Sequence, residues 1–433
     1  MDRKIMAELT TWKDSPRRKP LLLQGARQVG KTYAIKEFAR REFESVVYVD
    51  LERDERVAAE FASDLTPQRI IAALELHSGQ RIVPGRTLIV LDEVQGAPRG
   101  LTALKYLCDD APEFHVIAAG SILGVALMRK HVAYPVGKVD VLRMLPLDFE
   151  EFCWALDKRL VADAIRTSFA DATPMPLHRD TLALYRAYLV CGGMPEAVRD
   201  YADSRDLMAP RRIHDQLDTT YIADMARYAD PMETVRIMAV WRTMAAQLFK
   251  ENRKFRYNLV TQGARASQYE TPLAWLEAAS LVGRCSRIET GRAPLAASLA
   301  ADDFKIYLAD TGLLCTRLGA SPRLLLADDP SSGQFRGALA ENYVMQHLVS
   351  AGLKPYYWGK NGAAEIDFVV ETREGEVVPI EVKSGDNVRS RSLAIFRDRY
   401  HPRRAVRLST RNFGSEGGVT SVPLYAAFAL DML

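Results

Sequence analysis

A glycine-rich loop between an apolar run and a helical pattern constrains this chain more than any other feature. In KPLLLQGARQVGKTYAIKEFA, residues 19–39, the apolar run predicts a strand, and Ile35, Phe38 and Ala39 recur at helical spacing. Between them lies Gly25-x-x-x-x-Gly30-Lys31-Thr32, the P-loop pattern in its expected context. Glycines let the chain turn tightly and bring backbone N–H groups against phosphate oxygens, where the helix dipole adds attraction.

This loop predicts a site for ATP with Mg²⁺. Lys31 is predicted to reach the β- and γ-phosphates as a catalytic residue, and the Thr32 hydroxyl is predicted to ligate magnesium. The predicted nucleotide-binding residues are Gly25, Ala26, Arg27, Gln28, Val29, Gly30, Lys31, Thr32, Tyr33 and Ser121. A chance glycine loop is the alternative, and the flanking strand and helix argue against it.

A pair of carboxylates follows the apolar run of RTLIVLDEVQ, residues 86–95. The run predicts a strand that ends on Asp92 and Glu93, the arrangement called Walker B. Asp92 is predicted to hold magnesium, and Glu93 is predicted to orient or deprotonate the attacking water as a catalytic residue. Such a pair is common by itself, but after a P-loop it is a specific signal.

Two more runs predict strands of the same sheet. SVVYVDLE begins at Ser45 and FHVIAAGS ends at Ser121, and both alternate with helical segments as a parallel, doubly wound sheet requires. Ser121 is therefore expected at the same sheet edge as Asp92. It is predicted to sense the γ-phosphate, and a serine that caps the next turn is nearly as good an interpretation.

Length and composition predict several domains and a cytoplasmic protein. The chain has 433 residues, 48% of them hydrophobic, with 58 Lys and Arg against 55 Asp and Glu. Attraction to nucleic acid would therefore have to come from local patches. We find no signal-peptide pattern and no apolar run of about eighteen residues, so no membrane partner is expected. The five cysteines are scattered singly, which is typical of buried thiols in a reducing compartment.

The motifs in their order resemble one known group of proteins. QGARQVGKT, LDEVQ, AAGS, LPLDFEEF, CGGMPEAV and KIYLADTGLL together resemble the AAA-type ATPases of bacteria and archaea that carry a C-terminal domain of unknown function. The resemblance implies an α/β protein with a P-loop AAA-type ATPase core in residues 1–150. A helical lid is expected in 151–236, a winged helix in 237–320, and a restriction-endonuclease-like α/β domain in 321–433.

One position departs from the pattern of that group. Where such proteins tend to carry Gly-Arg, this chain has Gly137 and Lys138. Lysine lacks the planar fork of arginine, so a transition-state role does not carry over to it directly. Arg129, Arg143 and Arg227 are other candidates for an arginine finger, and a solvated surface charge is the alternative for each.

The predicted winged helix rests on two helical patterns followed by two strand patterns between Val240 and Gly319. Such a module often binds DNA, and KENRKFRYN, residues 250–258, contributes basic charge. In ATPases the same module also serves only as a packing or oligomer contact, and both interpretations stay open.

Residues 365–384, EIDFVVETREGEVVPIEVKS, predict a hairpin with charges on one face. Alternation places Asp367 on one face of the first strand, and Glu381 and Lys383 together on one face of the second. Upstream, Glu341 lies on the apolar stripe of a predicted helix. A buried carboxylate is costly unless it is paired or bound to a metal, so Glu341 requires a partner.

Helical Glu, then Asp, then Glu-x-Lys resembles the core of the PD-(D/E)xK nucleases. The resemblance implies that Glu341, Asp367 and Glu381 hold magnesium while Lys383, as a catalytic residue, helps position the nucleophile. Two alternatives stay open: the charges are solvated strand faces, or the fold is kept and cleavage is lost. Residues 386–411 hold eight arginines against two aspartates, a bias that favours a phosphate backbone.

Two hypotheses of function follow. The first is an ATP-hydrolysing switch or motor coupled to a nuclease-like domain that engages DNA or another nucleic acid, in defence or DNA maintenance. The second is a nucleotide-regulated binding or scaffold protein with an inactive nuclease fold. Both take ATP and ADP as ligands, and homo-oligomerisation is left open.

Overall fold

The chain divides into two compact units. The structure, a computed structural model, describes residues 1–97, 99–121, 135–250, 253–326, 332–360, 364–385 and 391–433. The N-terminal unit comprises Asp2–Leu145 with Ala274–Ser280, and the C-terminal unit comprises Pro146–Leu273 with Leu281–Leu433. Arg129 lies outside the described residues, as does part of the arginine-rich segment.

The N-terminal unit is a parallel sheet flanked by helices. Its strands are β1 (Leu21–Gln24), β2 (Ser45–Asp50), β3 (Thr87–Asp92), β4 (His115–Ala119) and β5 (Asp140–Arg143), in the order β2-β3-β4-β1-β5. Its described helices are α1 (Ile5–Asp14), α2 (Lys31–Glu42), α3 (Glu55–Ser63), α4 (Pro67–Ser78) and α5 (Gly100–Asp110). A short 3-10 helix covers Val94–Gly96.

Burial on both faces explains the continuous apolar runs of this sheet. Every residue of β3 and β4 is buried, which is typical of central strands covered by helices. The order inserts β4 between β1 and β3, and all of these neighbours pair in parallel. The carboxyl ends of the three strands therefore meet at one edge, where α/β proteins bind their ligands.

The C-terminal unit begins with helices. They are α6 (Phe149–Ala155), α7 (Arg159–Asp171), α8 (His178–Cys191), α9 (Pro195–Ser204), α10 (Ala209–Tyr228) and α11 (Pro231–Leu248), and α12 (Ala266–Ala278) follows and ends within the N-terminal unit. Local signals set their starts. Asp148 and Glu151 form a capping box on α6, and Asp230 caps α11 with Pro231 in its first turn.

A mixed sheet fills the rest of the unit, in the order β12-β13-β11-β10-β9-β8-β6-β7. Its strands are β6 (Val282–Ile288), β7 (Leu299–Leu308), β8 (Tyr356–Lys360), β9 (Ala364–Glu371), β10 (Val377–Val382), β11 (Val406–Ser409), β12 (Gly414–Glu416) and β13 (Val419–Pro423). The helices are α13 (Thr311–Arg317), α14 (Arg323–Leu326), α15 (Gly333–Ser350) and α16 (Arg391–Tyr400). Further 3-10 helices cover Tyr257–Leu259, Leu295–Ser298 and Leu424–Met432.

The strands predicted as the wing of a winged helix belong to this sheet. β6 and β7 pair with each other in antiparallel fashion, and β6 also pairs in parallel with β8, where Ser286 lies opposite Tyr356. The predicted boundary at residue 320 therefore divides strands of one sheet. The physical reason is the second edge of β6, whose backbone groups find partners on β8.

Two motifs that are distant in the sequence meet at Asp310. Its Oδ1 accepts a hydrogen bond of 2.8 Å from the N–H of Leu313 and so caps α13, while its Oδ2 accepts one of 2.6 Å from the N–H of Gly193. A Cβ on Gly193 would lie 2.0 Å from the Leu147 carbonyl oxygen, so only glycine fits there. The CGGMPEAV and LADTGLL motifs are thus linked by buried hydrogen bonds to one carboxylate.

Across the described residues, no helix combines the length and the apolarity needed to cross a membrane. All five cysteines are free thiols, and four of them, Cys153, Cys191, Cys285 and Cys315, are buried.

Candidate functional site

The loop from Gly25 to Gly30 has backbone angles that require glycine at its ends. Gly25 has φ +154° and Gly30 has φ +96°, and a Cβ on Gly25 would lie 2.3 Å from the Met144 carbonyl oxygen. Gln28 also has a positive φ, of 64°. Because α2 begins at Lys31, the loop leads directly into the N-terminus of a helix, with its unpaired N–H groups.

Lys31 is held inside this loop. Its side chain is 7% exposed, and Nζ donates hydrogen bonds of 2.9 and 3.0 Å to the carbonyl oxygens of Gly25 and Ala26. Burial lowers the pKa of Lys31 to about 8, although the carboxylates of Glu93 and Asp92 act in the opposite direction. The ammonium is thus pre-placed against the loop backbone, within reach of anions bound there.

Asp92 is fixed by three donors at the end of β3. Its Oδ2 accepts hydrogen bonds from Thr32 Oγ1, at 3.1 Å, and from the Tyr48 hydroxyl, and its Oδ1 accepts one of 3.0 Å from the N–H of Glu93. Burial, and then the hydrogen bond to Asp92, raise the pKa of Tyr48. Sequence reasoning missed Tyr48, because a tyrosine in a strand is ordinarily a core residue.

Glu93 lies between Gln95 and Ser121. It has the left-handed backbone angles φ 45° and ψ 48°. Gln95 Nε2 donates to Glu93 Oε2, and Ser121 Oγ lies 3.3 Å from Glu93 Oε1. The predicted water-activating carboxylate is therefore held in a defined position next to the predicted γ-phosphate sensor. Gln95 was not predicted, although it lies in the quoted LDEVQ.

These residues fit a nucleoside triphosphate with a divalent cation. The loop offers helix N–H groups, a glycine position that no Cβ can occupy and a buried ammonium, which suit phosphate oxygens. Thr32 and Asp92 bring hydroxyl and carboxylate oxygens together, the donor set that Mg²⁺ prefers.

Lys138 and the described candidates for an arginine finger, Arg143 and Arg227, lie in the following environments. Lys138 Nζ lies 2.5 Å from Asp109 Oδ1 in an exposed ion pair, and Arg143 is exposed at the end of β5. Arg227 lies in the C-terminal unit, with its guanidinium 5.1 Å from the ring centre of Tyr228.

A second charged cluster lies in the C-terminal unit around Glu341 of α15. The carboxylate is 2% exposed, forms an ion pair with Arg253, and accepts a hydrogen bond of 3.0 Å from the Tyr307 hydroxyl. Lys305 Nζ lies 3.7 Å from its Oε2. The partner that a buried Glu341 requires is therefore supplied by cations of the chain.

Lys305 of β7 is itself buried, with 1% of its surface exposed. Its Nζ lies 2.7 Å from Glu365 Oε1 and 5.1 Å from the ring centre of Tyr357. Sequence reasoning gave Lys305 no role, although it begins the apolar run KIYL. A lysine in a buried strand needs a charged partner, and this need could have identified Lys305 as part of a charged cluster.

The predicted hairpin charges are paired locally. Asp367 Oδ2 accepts a hydrogen bond of 2.8 Å from the N–H of Val382, and Lys383 Nζ lies 2.7 Å from Glu381 Oε1. Burial lowers the pKa of Lys383, but the carboxylates of Glu381 and Asp367 more than offset this and hold it above its ordinary value. Glu381 is 3% exposed.

Positively charged side chains lie next to the predicted metal ligands Glu341 and Glu381. Arg253 and Lys305 pair with Glu341, Lys305 also pairs with Glu365, and Lys383 pairs with Glu381. In the described part of the chain, no group of three or more His, Cys, Asp and Glu side chains is arranged to hold a metal ion.

Comparison with known protein families divides the chain into three matched segments. Residues 17–153 match the AAA domain, and this match covers the P-loop, Asp92, Glu93 and Ser121. We call this segment the ATPase domain, after the family that it matches. Residues 182–324 and 336–427 match two domains of unknown function, DUF8612 and DUF4143. No curated protein matches the chain.

Several solved structures are similar to this chain over most of its length. The Walker-type ATPase PABY2304 of Pyrococcus abyssi is 16% identical, with a TM-score of 0.46, over 73% of this chain and 95% of its own. The Aeropyrum pernix ORC1 protein in complex with DNA is 14% identical, with a TM-score of 0.30, over 73% and 90%. AMPPCP-bound DnaA from Aquifex aeolicus is 12% identical, with a TM-score of 0.28, over 63% and 86%.

Proposed function

We propose that the ATPase domain hydrolyses ATP and thereby controls a nuclease-like C-terminal domain that engages nucleic acid. The observation that carries the hydrolytic part is the convergence at one sheet edge. There, Thr32 contacts Asp92, while Glu93 lies beside Ser121. The P-loop lysine, the metal-binding pair and the water-activating carboxylate thus come from one compact unit.

Each residue has a role that follows from its position. The N–H groups of the loop and Lys31 bind the phosphates, and Thr32 with Asp92 holds magnesium, which neutralises charge on the phosphates. Glu93 orients the attacking water and accepts its proton. Ser121 contacts Glu93. In this proposal, Ser121 also contacts the γ-phosphate and so couples its presence to the position of Glu93.

The nuclease-like part of the proposal is supported by the order of elements. Helix α15 carries Glu341, β9 carries Asp367, and β10 with the residue after it carries Glu381 and Lys383. Apart from β8, which lies between α15 and β9, this is the helix, strand, turn, strand order of the resemblance. For nucleic acid, the support is a set of exposed arginines in and after α16, namely Arg391, Arg399, Arg403 and Arg411.

The test of the ATPase proposal is phosphate release by the full chain, with and without DNA. Wild type is expected to turn over ATP. Lys31→Ala is expected to lose nucleotide binding, and Glu93→Gln to keep binding and lose turnover by roughly a hundredfold or more. If wild type releases no phosphate under any condition, the proposal that this chain is an ATPase is wrong. Light scattering of Glu93→Gln with ATP tests homo-oligomerisation.

A second candidate is a regulated binding protein whose nuclease fold does not cut. The pairing of Glu341 and Glu365 with Arg253 and Lys305 favours it. Cutting of DNA and RNA with Mg²⁺ or Mn²⁺ decides between the two. Cutting that disappears in Asp367→Ala and Lys383→Ala supports an active nuclease, and nucleic-acid binding without cutting supports the second candidate.

A further inference from the structure

We propose that Arg253 and Lys305 are built-in counter-ions that stand in place of divalent metal in the C-terminal acidic pocket. The pocket is then a closed ion network that does not bind Mg²⁺ or Mn²⁺. This inference deepens the proposed function, because it concerns the nuclease-like site. It is nevertheless separable from ATP hydrolysis and nucleic-acid binding, neither of which it requires.

The first support is the balance of charge. The cluster contains four carboxylates, which are Glu341, Glu365, Asp367 and Glu381, and three cations, which are Arg253, Lys305 and Lys383. One net negative charge remains. A divalent ion entering this cluster would meet three positive groups. Two of them, Arg253 and Lys305, are largely shielded from water, where repulsion between charges is strong.

The second support is the space that the chain reserves for Arg253. Gly337 lies one helical turn before Glu341 on α15, and a Cβ at this position would lie 2.7 Å from Arg253 Nη2. Glycine inside a helix is unfavourable compared with alanine. Here its missing side chain leaves room for the guanidinium of Arg253, which pairs with Glu341.

The third support is the burial of Lys305. A fully buried ammonium is tolerated when charged partners surround it, and those partners are Glu341 and Glu365 together with the face of Tyr357. Glu341 is the residue that a metal would need as a ligand. A metal bound there would lie beside the buried ammonium of Lys305, which Glu365 alone would then neutralise.

The two counter-ions and the four carboxylates come from different segments of the chain. Arg253 and Lys305 fall in the segment that matches DUF8612, whereas the four carboxylates fall in the segment that matches DUF4143. One segment thus neutralises the pocket of the other, and β6 and β7 fix Lys305 there by joining the same sheet.

The test is the effect of MnCl₂ on the thermal unfolding of the full chain without nucleotide. For wild type we expect no shift in Tm that depends on Glu341. For the double variant Arg253→Gln/Lys305→Met we expect a lower Tm without metal and a rise of about 2 °C with MnCl₂ in tenfold excess over its Kd. Adding Glu341→Gln should abolish this rise, which distinguishes the pocket from any effect at Asp92.

Matched variants keep the result decisive if the double variant does not fold. Gly337→Ala displaces only the guanidinium, and it should give a smaller Mn²⁺-dependent rise. Lys305→Met/Glu365→Gln removes one charge of each sign and should give none. A wild-type Tm that rises with MnCl₂ and loses the rise in Glu341→Gln and Asp367→Asn would overturn the proposal.

Discussion

Individual side chains around Asp92 decide how well the ATPase site is organised. Two hydroxyls, from Tyr48 and Thr32, donate to the same carboxylate oxygen. The hydroxyl of Thr32 is the one expected to turn to the metal, which leaves Tyr48 as the donor that keeps Asp92 oriented. Tyr48 is thus a positioning residue, which acts through Asp92.

Tyr48→Phe is expected to raise the Mg²⁺ concentration for half-maximal nucleotide binding by roughly tenfold, the loss expected for one hydrogen bond to a charged group. Binding of a fluorescent ATP analogue at varied Mg²⁺ measures it. Tyr106→Phe, at a half-buried tyrosine of α5, is the control and should leave the Mg²⁺ dependence unchanged. An unchanged dependence in Tyr48→Phe would contradict the assigned role.

Lys31 gives the nucleotide-free chain a characteristic pH dependence. Its folded pKa, about 8, lies below the ordinary value of 10.5, so between these values the unfolded chain binds more protons. Stability from this group therefore rises with pH across that window, by up to about 3 kcal/mol relative to Lys31→Met. Urea unfolding of both chains from pH 8 to 10.5 measures the difference, and parallel profiles would contradict it.

At the scale of elements, helix starts and the edges of strands determine the C-terminal unit. Asp310 caps α13 and also binds the N–H of Gly193 at the end of α8, so one carboxylate joins two elements. Asp230 caps α11 at an exposed position, where its Oδ1 accepts a hydrogen bond of 2.9 Å from the N–H of Glu233. The two caps are therefore a matched pair that differ in burial and in the number of N–H groups they satisfy.

Asp310→Ala is expected to destabilise the chain by about 2–4 kcal/mol, because it removes a cap and leaves a buried N–H without its acceptor. Asp230→Ala, the control, is expected to cost about 1 kcal/mol. The midpoint of urea unfolding, followed by circular dichroism, measures both. Equal losses in the two variants would show that Asp310 is only a helix cap.

At the scale of the whole molecule, net charge is too small to attract nucleic acid, since it is +3 at pH 7. Within residues 391–411, Arg404 pairs with Glu376 and Arg407 is buried. The positive surface of this segment therefore comes from its exposed arginines.

Arg391→Gln/Arg399→Gln is expected to weaken binding to double-stranded DNA and to lower the slope of log K against log salt by about 2, one for each lost phosphate contact. Fluorescence anisotropy at several salt concentrations measures it. Arg86→Gln, at an exposed arginine of the N-terminal unit, should change neither quantity. Equal slopes for wild type and the double variant would exclude these arginines from the interface.

The sequence was informative where function depends on contiguous residues. The P-loop and the Asp92–Glu93 pair were predicted from motifs, because a strand, a loop and a helix in succession fix where the backbone turns. Tyr48 and Gln95 were not, since only the pairing of β2 with β3 and the bend after β3 bring them to the carboxylates.

The sequence by itself determined the phosphate loop, the acidic ends of the central strands and the need of Glu341 for a partner. The tertiary structure decided what that partner is, because Arg253 and Lys305 reach Glu341 only after β7 has joined the edge of the C-terminal sheet. A local pattern can show that a buried charge must be neutralised. Which charge neutralises it depends on contacts between distant segments, and these are set by the pairing of strands and the packing of helices.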